Sequence, residues 1–416
     1  MTERADIVVV GAGAAGLAAA ASLRGRADVR VLEAAHVPGG RARTDRTTLG
    51  VPFDLGCHWL HDAQDNPFTA IADRLGFSIG RGIPRPRLLF HDGAMAPPAE
   101  ADAAHAAVEQ AFEAVRAAGL DGRDVAAEAV LPDLHAWAGL ARHWLALMSA
   151  AAPADISTRD YALYRDSDAN WPVLDGYGDL VLAHAAGVPV ETGCPVTGID
   201  RRGRDLRLET PRGTLTARVA IVTVSTAALA RLPLTPDLPD LRAACAALPL
   251  GIAEKVAVLF DRDVFGVDPR TAIDILPGAG LPPVSAVLAP AGAPAAILHV
   301  AGPAAADLVA AGPAALTAAC LETLAAAFGA DILRHVTRTR ATGWAMDPAI
   351  GGAYSCALPG LAHMRTRLAA GSGDPRLLLA GEAVAGAAFS TCHGAHLSGL
   401  AAAEAALRQL GEGSDA

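Results

Sequence analysis

The first string able to do chemistry in this chain is Gly11-Ala12-Gly13-Ala14-Ala15-Gly16. A β-branched run, Ala5 to Val10, precedes it, and an Ala/Leu-rich helix through Arg24 follows. Glycines at 11 and 13 let backbone amides approach a pyrophosphate at a helix N-terminus, where the dipole favours negative charge, and Gly16 permits close helix–strand packing. A second strand, Val29 to Leu32, ends on Glu33. That is about twenty residues beyond the first glycine, where a dinucleotide fold sets the carboxylate that accepts from a ribose. The glycine pattern alone is weak; strand, helix and acidic residue together make it strong.

Further strings carry polar chemistry. Gly39-Gly40-Arg41-Ala42-Arg43 joins flexible backbone to guanidinium groups suited to phosphate or a ring edge, the bland alternative being a glycine turn with surface arginines. Gly381-Glu382 follows an apolar strand, Arg376 to Ala380, and so lies at a carboxyl end, where open α/β sheets bind ligands. Ser390 or Thr391 caps a final helix from about Cys392 to Leu410, whose N-terminus attracts negative charge. Lys255 is the only lysine beside 33 arginines. The alternation in Ile252 to Phe260 puts it on one strand face with Ala257 and Leu259, opposite Val256, Val258 and Phe260. A compact, deprotonatable ammonium can act there where a guanidinium would not; the plain alternative is a strand-end lysine with its head in water. Cys57-His58-Trp59-Leu60-His61 offers an imidazole that can accept from or orient an amine, or that simply satisfies itself in a core. Trp344 and Tyr354 flank Asp347 to Gly352.

Taken together, Val8 to Gly16, Glu33, Gly39 to Thr44, Phe53 to His61, Asn66-Pro67, Gly381-Glu382 and Thr391 to Gly399 resemble the flavin amine oxidases, and within them the polyamine oxidases. The resemblance spans both ends and the middle of the chain. It implies an α/β fold in which a Rossmann-like FAD-binding domain of the amine oxidase type meets a discontinuous α+β substrate domain carrying a helical insertion. It implies FAD contacts at Gly11, Gly13, Ala15, Gly16, Glu33, Gly40, Arg41, Arg43, Leu55, Gly56, Val196, Trp344, Gly381, Glu382 and Cys392. Catalytic roles fall to Lys255, His58, Tyr354, Trp344 and Thr391, with Lys255 holding a water against flavin N5 and Thr391 standing opposite Tyr354. Ala353 stands where monoamine oxidases of the mitochondrial type carry the flavin-linked cysteine, so the FAD is expected to be non-covalent. The implied reaction is hydride loss from the carbon beside an amine nitrogen to flavin N5, iminium hydrolysis, and reoxidation by dioxygen to hydrogen peroxide. Rivals are a desaturase or L-amino-acid oxidase on the same scaffold, or a flavin-binding subunit without turnover.

These residues need elements to position them. With 52% hydrophobic residues the chain can bury real cores. The expected division is an FAD-binding domain from 1–80, 176–232 and 365–416, and a substrate-binding domain from 81–175 and 233–364. Pro84 to Asp168 reads as mostly helical, with stretches at Ala103 to Ala118 and Leu134 to Ala150, and Val188 to Thr226 as a β-meander. Ile297 to Val300 reads as a core strand inside an Ala/Pro-rich stretch, and Gly411 to Ala416 as a frayed tail. A net charge of −10 without a basic run argues against nucleic acid as a partner. The acidic N-terminus and glycine-interrupted first apolar run lack a signal peptide or membrane span, giving a cytoplasmic reading. Six scattered cysteines form no metal or disulfide pattern. The expected partners are a small-molecule amine and dioxygen, with a homodimer among the allowed assemblies.

Overall fold

A computed structural model describes residues 3–81, 87–278 and 280–412. Pro84, Ala279 and 413–416, on which parts of the expectations above fell, lie outside them. The described part of the expected frayed tail, Gly411 and Glu412, is still helical.

The first sheet has seven strands, ordered Leu234–Thr235, Gly198–Asp200, Leu206–Thr210, Gly213–Val222, Glu3–Val10 and Val29–Leu32, with Leu377–Leu379 also paired to Gly213–Val222. Glu3–Val10 is parallel to both its neighbours, with Val10 opposite Val222 and Leu32. A parallel strand covered on both faces must be apolar throughout rather than alternating, which explains Ile7 to Val10. Ile7 and Val9 pack under the helices Ala14–Leu23 and Cys392–Glu412, through residues such as Leu17, Ala403 and Ala406. Val8 and Val10 face the opposite core with Leu206, Leu208 and Val222.

The second sheet runs Val336–Ala341, Ala253–Phe260, Ala295–Ala301, Val284–Leu288, Thr271–Ile275, Arg87–His91 and Ala94–Met95. Val256, Val258 and Phe260 enter its main core with Leu298, Leu316 and Leu324, while Ala257 packs with Leu49 and Phe53. The strand alternation read around Lys255 is thus the one observed. On the other side stand the helices Pro98–Leu120 and Ala138–Ser149, whose Val108, Val115, Leu140 and Leu145 share a core with Leu89.

Two differences from the sequence reading have clear causes. The segment read as a helical insertion begins as a β-hairpin: Arg87–His91 and Ala94–Met95 are joined by Asp92-Gly93 with φ of 49° and 79°. Two successive positive φ values match the Asp-Gly turn that suits strand twist. The expected domain boundary at 232–233 also moves. Leu234–Thr235 adds to the first sheet beside Gly198–Asp200, and Leu241, Ala244, Cys245 and Leu248 fill that sheet's core. At the other boundary Val173 already belongs to the first core and Trp171–Pro172 pairs with Trp59–Leu60, before residue 176.

Candidate active site

A cavity of about 1070 Å³ runs between the two sheets. Every residue to which the resemblance gives a cofactor or catalytic role lines it except Gly16. A Cβ on Gly16 would lie 1.9 Å from the Gly11 carbonyl oxygen, so its role is helix–strand approach.

One end is the glycine turn. Gly13 lines the cavity at the start of the helix Ala14–Leu23, and a Cβ there would come no closer than 3.9 Å to Gly39 and Gly40, so the protein itself does not require the glycine. Glu33 accepts from the Ala12 amide at 2.7 Å and the Ala35 amide at 2.8 Å, so its carboxylate is fixed beside that opening with lone pairs to spare. Arg41 bridges the Ala353 carbonyl and Glu382, the latter at 3.2 Å. Glu382, itself buried, also accepts from Ser355 at 2.7 Å and the Ser390 amide at 3.1 Å. Arg43 stacks on Trp344 at 5.6 Å, and its Nε is buried without a partner. An orphaned guanidinium nitrogen and a cavity lined by the glycine turn before a helix N-terminus fit the phosphate and ring acceptors of FAD.

The centre of the cavity is built on the turn 54–56, held beside the arginines because the Leu55 amide donates to the Arg43 carbonyl at 2.9 Å. All three carbonyls of the turn are taken. Lys255 Nζ donates to Asp54 O at 2.8 Å and Gly56 O at 2.6 Å, and Trp344 Nε1 donates to Leu55 O at 3.0 Å. Two of the three ammonium protons are thereby fixed, and the third belongs to the cavity. Desolvation lowers the Lys255 pKa, opposed by the charge of Asp54. His58 Nδ1 lies 2.8 Å from Asp54 Oδ2, and its ring stands edge-on to Trp59.

Other residues prove to be held for packing. The Thr391 hydroxyl donates to Ala388 O at 2.7 Å and accepts from the Gly394 amide at 2.9 Å, so it is committed to capping the final helix. The Tyr354 hydroxyl donates to Leu147 O, which fixes the ring as cavity wall. His61 Nδ1 pairs with Asn170 at 2.6 Å. Burial pushes His393 down to about 4 and keeps it neutral. The Cys57 thiol is raised well above its ordinary range by Cys392 beside it and then by desolvation, which makes it a poor nucleophile.

Sequence reasoning missed Asp54. It was read only as part of a string, and it ends a strand of two residues, Phe53–Asp54, too short for a period to single it out. The helical stretch ending at residue 168 reads from the sequence as a wall of the substrate cavity, but its lining residues Trp144, Leu147, Met148, Tyr161 and Tyr164 were not picked out. The spacing of 144, 147 and 148 on one helix face was a usable signal.

With this geometry in view, the comparisons are decisive on lineage. The family model for flavin containing amine oxidoreductases matches residues 14–407. The chain belongs to that family. It is a flavin-dependent oxidoreductase, and FAD is its cofactor. Polyamine oxidase 1 of Oryza sativa subsp. japonica is 28% identical over 509 residues, covering 100% of this chain and 99% of the relative. Polyamine oxidase 4 of the same organism is 27% identical over 97% of this chain and 89% of the relative. A solved double mutant of putrescine oxidase, redesigned in its cofactor binding, superposes with a TM-score of 0.78 at 19% identity, covering 98% of this chain and 100% of that one. This likeness shows the amine oxidase fold. Among the described residues no helix is long and apolar enough to cross a membrane.

Proposed function

We propose that the protein oxidises the C–N bond of a small amine, in the manner of a polyamine oxidase, with dioxygen as the final acceptor. The observation that carries this reading is the convergence of Lys255, Trp344 and His58 on the turn 54–56 at the wall of the cavity. FAD supplies the two-electron acceptance by which an amine becomes an imine, and the return of those electrons to dioxygen as hydrogen peroxide.

The protein's own residues do the rest. Gly13, Glu33 and Arg43 hold the cofactor's phosphates, ribose and ring without a covalent bond, since position 353 is alanine. Lys255 keeps an N–H in the cavity that orients a water or stabilises developing negative charge. His58 receives a proton from, or orients, the amine nitrogen, because only a neutral amine readily gives up hydride from the adjacent carbon. Tyr354 and Trp344 wall the channel and exclude solvent.

The names of the relatives support a polyamine or diamine as substrate. One observation favours a second reading, an amine that also bears a carboxylate: Arg116 lines the cavity and has no ion pair among the described residues. Anaerobic mixing of the holoenzyme with polyamines, acetylated polyamines, monoamines and amino acids tests both. A polyamine that bleaches the flavin, with air restoring it and releasing peroxide, is the expected result. Bleaching by amino acids alone favours the second reading, and a flavin that no amine bleaches overturns both.

A further inference from the structure

Asp54 is four positions before His58 and nearly buried, with a side chain 2% exposed. Four donors converge on its carboxylate. Thr44 Oγ1 lies 2.6 Å and the Gly178 amide 3.3 Å from Oδ1, while the Tyr177 amide lies 3.1 Å and His58 Nδ1 2.8 Å from Oδ2. The Thr44 hydroxyl also accepts the Asp179 amide at 3.2 Å, so its own proton points at Asp54. Burial alone would raise the Asp54 pKa, but the hydrogen bond and charge of His58, with Thr44 and Lys255, hold it below its ordinary value. An ionised carboxylate only accepts. Nδ1 of His58 therefore carries a proton, and the basic site of the neutral ring is Nε2.

The same residue acts through its backbone on the other functional group, since its carbonyl accepts from Lys255 at 2.8 Å. The helix Tyr177–His184 contributes the first two of its amides to the carboxylate, so Asp54 is anchored to the nucleotide-binding half of the molecule. The lysine reaches it from the second sheet.

We propose that Asp54 is the positioning residue of this active site: its carboxylate fixes His58 with the proton on Nδ1, so that Nε2 is the basic nitrogen of the ring, while its carbonyl holds Lys255. The substrate-facing part of this inference rests on the amine oxidation proposed above; the tautomer does not. Asp54 Oδ2, 2.8 Å from Nδ1, is a carboxylate in direct contact with His58, and its hydrogen bond and charge act on the imidazole as those of His58 act on it.

The test pairs Asp54→Asn and Asp54→Glu holoenzymes with the native protein. In the asparagine variant Thr44 and the Gly178 amide still require the carbonyl oxygen at the Oδ1 place, so the amide NH2 takes the Oδ2 place, where the Tyr177 amide loses its acceptor and His58 Nδ1 is drawn into accepting. Nitrogen-15 spectra of histidine-labelled protein, assigned with His58→Ala, are expected to show Nδ1–H in the native protein and Nε2–H in Asp54→Asn. With an amine that bleaches the flavin, the anaerobic bleaching rate of Asp54→Asn is expected to fall by about 10²-fold, the scale of a positioned base, with the acid limb of its pH profile moved to lower pH. Asp54→Glu is expected to recover the tautomer and part of the rate. In the double variant with His58→Ala the Asp54→Asn loss is expected to disappear.

A native protein with Nε2–H, or an Asp54→Asn loss that persists in full without His58, overturns the inference. If Asp54→Asn fails to fold, the native tautomer and Asp54→Glu still decide it. If no amine bleaches the native flavin, the amine oxidase reading fails while the nitrogen-15 result still reports on Asp54.

Discussion

Arg365 and Asp160 form a two-pronged ion pair inside the molecule, Nε to Oδ1 and Nη2 to Oδ2 both at 2.7 Å, with side chains 4% and 2% exposed. Asp160 lies on the short helix Thr158–Leu163 of the cavity-walling segment, and Arg365 on the helix His363–Ala369 that leads into the last strand of the first sheet. The guanidinium also reaches Ser355 at 3.0 Å and stacks on Phe389 at 3.8 Å. Removing one partner strands a buried charge. Arg365→Ala is expected to cost about 3–5 kcal/mol of stability, read by denaturant unfolding. Arg365→Lys keeps the charge without the fork and should remain well below native stability; a native-like Arg365→Ala midpoint would refute the pair's role.

Lys255→Met removes an amine that lines the cavity and donates to the Asp54 and Gly56 carbonyls. Anaerobic bleaching by an amine is expected to change little, whereas the return of colour in air is expected to slow by about 10²-fold. Stopped-flow absorbance separates the two steps. The Asp54 and Gly56 carbonyls also lose their donor, which is expected to lower stability by about 1–3 kcal/mol.

Two glycines of one motif should fail differently. Gly13→Ala sets its methyl on the cavity side in no more than ordinary contact with Gly39 and Gly40, so the apoprotein is expected to unfold as the native chain does while FAD binds roughly tenfold more weakly or worse, about 1.4 kcal/mol. Gly16→Ala drives a methyl against the Gly11 carbonyl and is expected to destabilise the apoprotein itself by about 1–3 kcal/mol. Apoprotein denaturation and FAD titration distinguish these outcomes.

His143, His393 and His396 are each pushed down to about 4, first by burial. The unfolded chain therefore binds more protons than the folded one between about pH 6.5 and 4, and stability falls as pH is lowered through that window. Each contributes at most about 3 kcal/mol to the fall. Unfolding midpoints at pH 7, 6 and 5 are expected to decline already from pH 7 to 6, above the carboxylate range, and His393→Gln should flatten the slope.

The nucleotide-binding half was legible because its functional residues are close in sequence: Gly11, Gly13, Gly16 and Glu33 occupy one strand–helix–strand unit, and the chemistry of each follows from residue type. The alternation that set Lys255 on a strand face was equally local. The far wall was not legible in this way. Arg116, Trp144, Tyr161 and Asp274 come from separate elements, and a helix's apolar period tells that it packs without telling against what. Thr391 could be read as a helix cap or as a substrate wall, and only the hydrogen bonds show the hydroxyl spent on the cap.

The chain's single lysine, clasped by two carbonyls at the meeting point of both sheets, is also a built-in spectroscopic reporter. Growth on Nζ-labelled lysine gives a protein with one labelled side chain, located at the cavity wall. Cofactor loading, substrate entry and proton movement at this position can then be followed through one resonance, without engineering a probe.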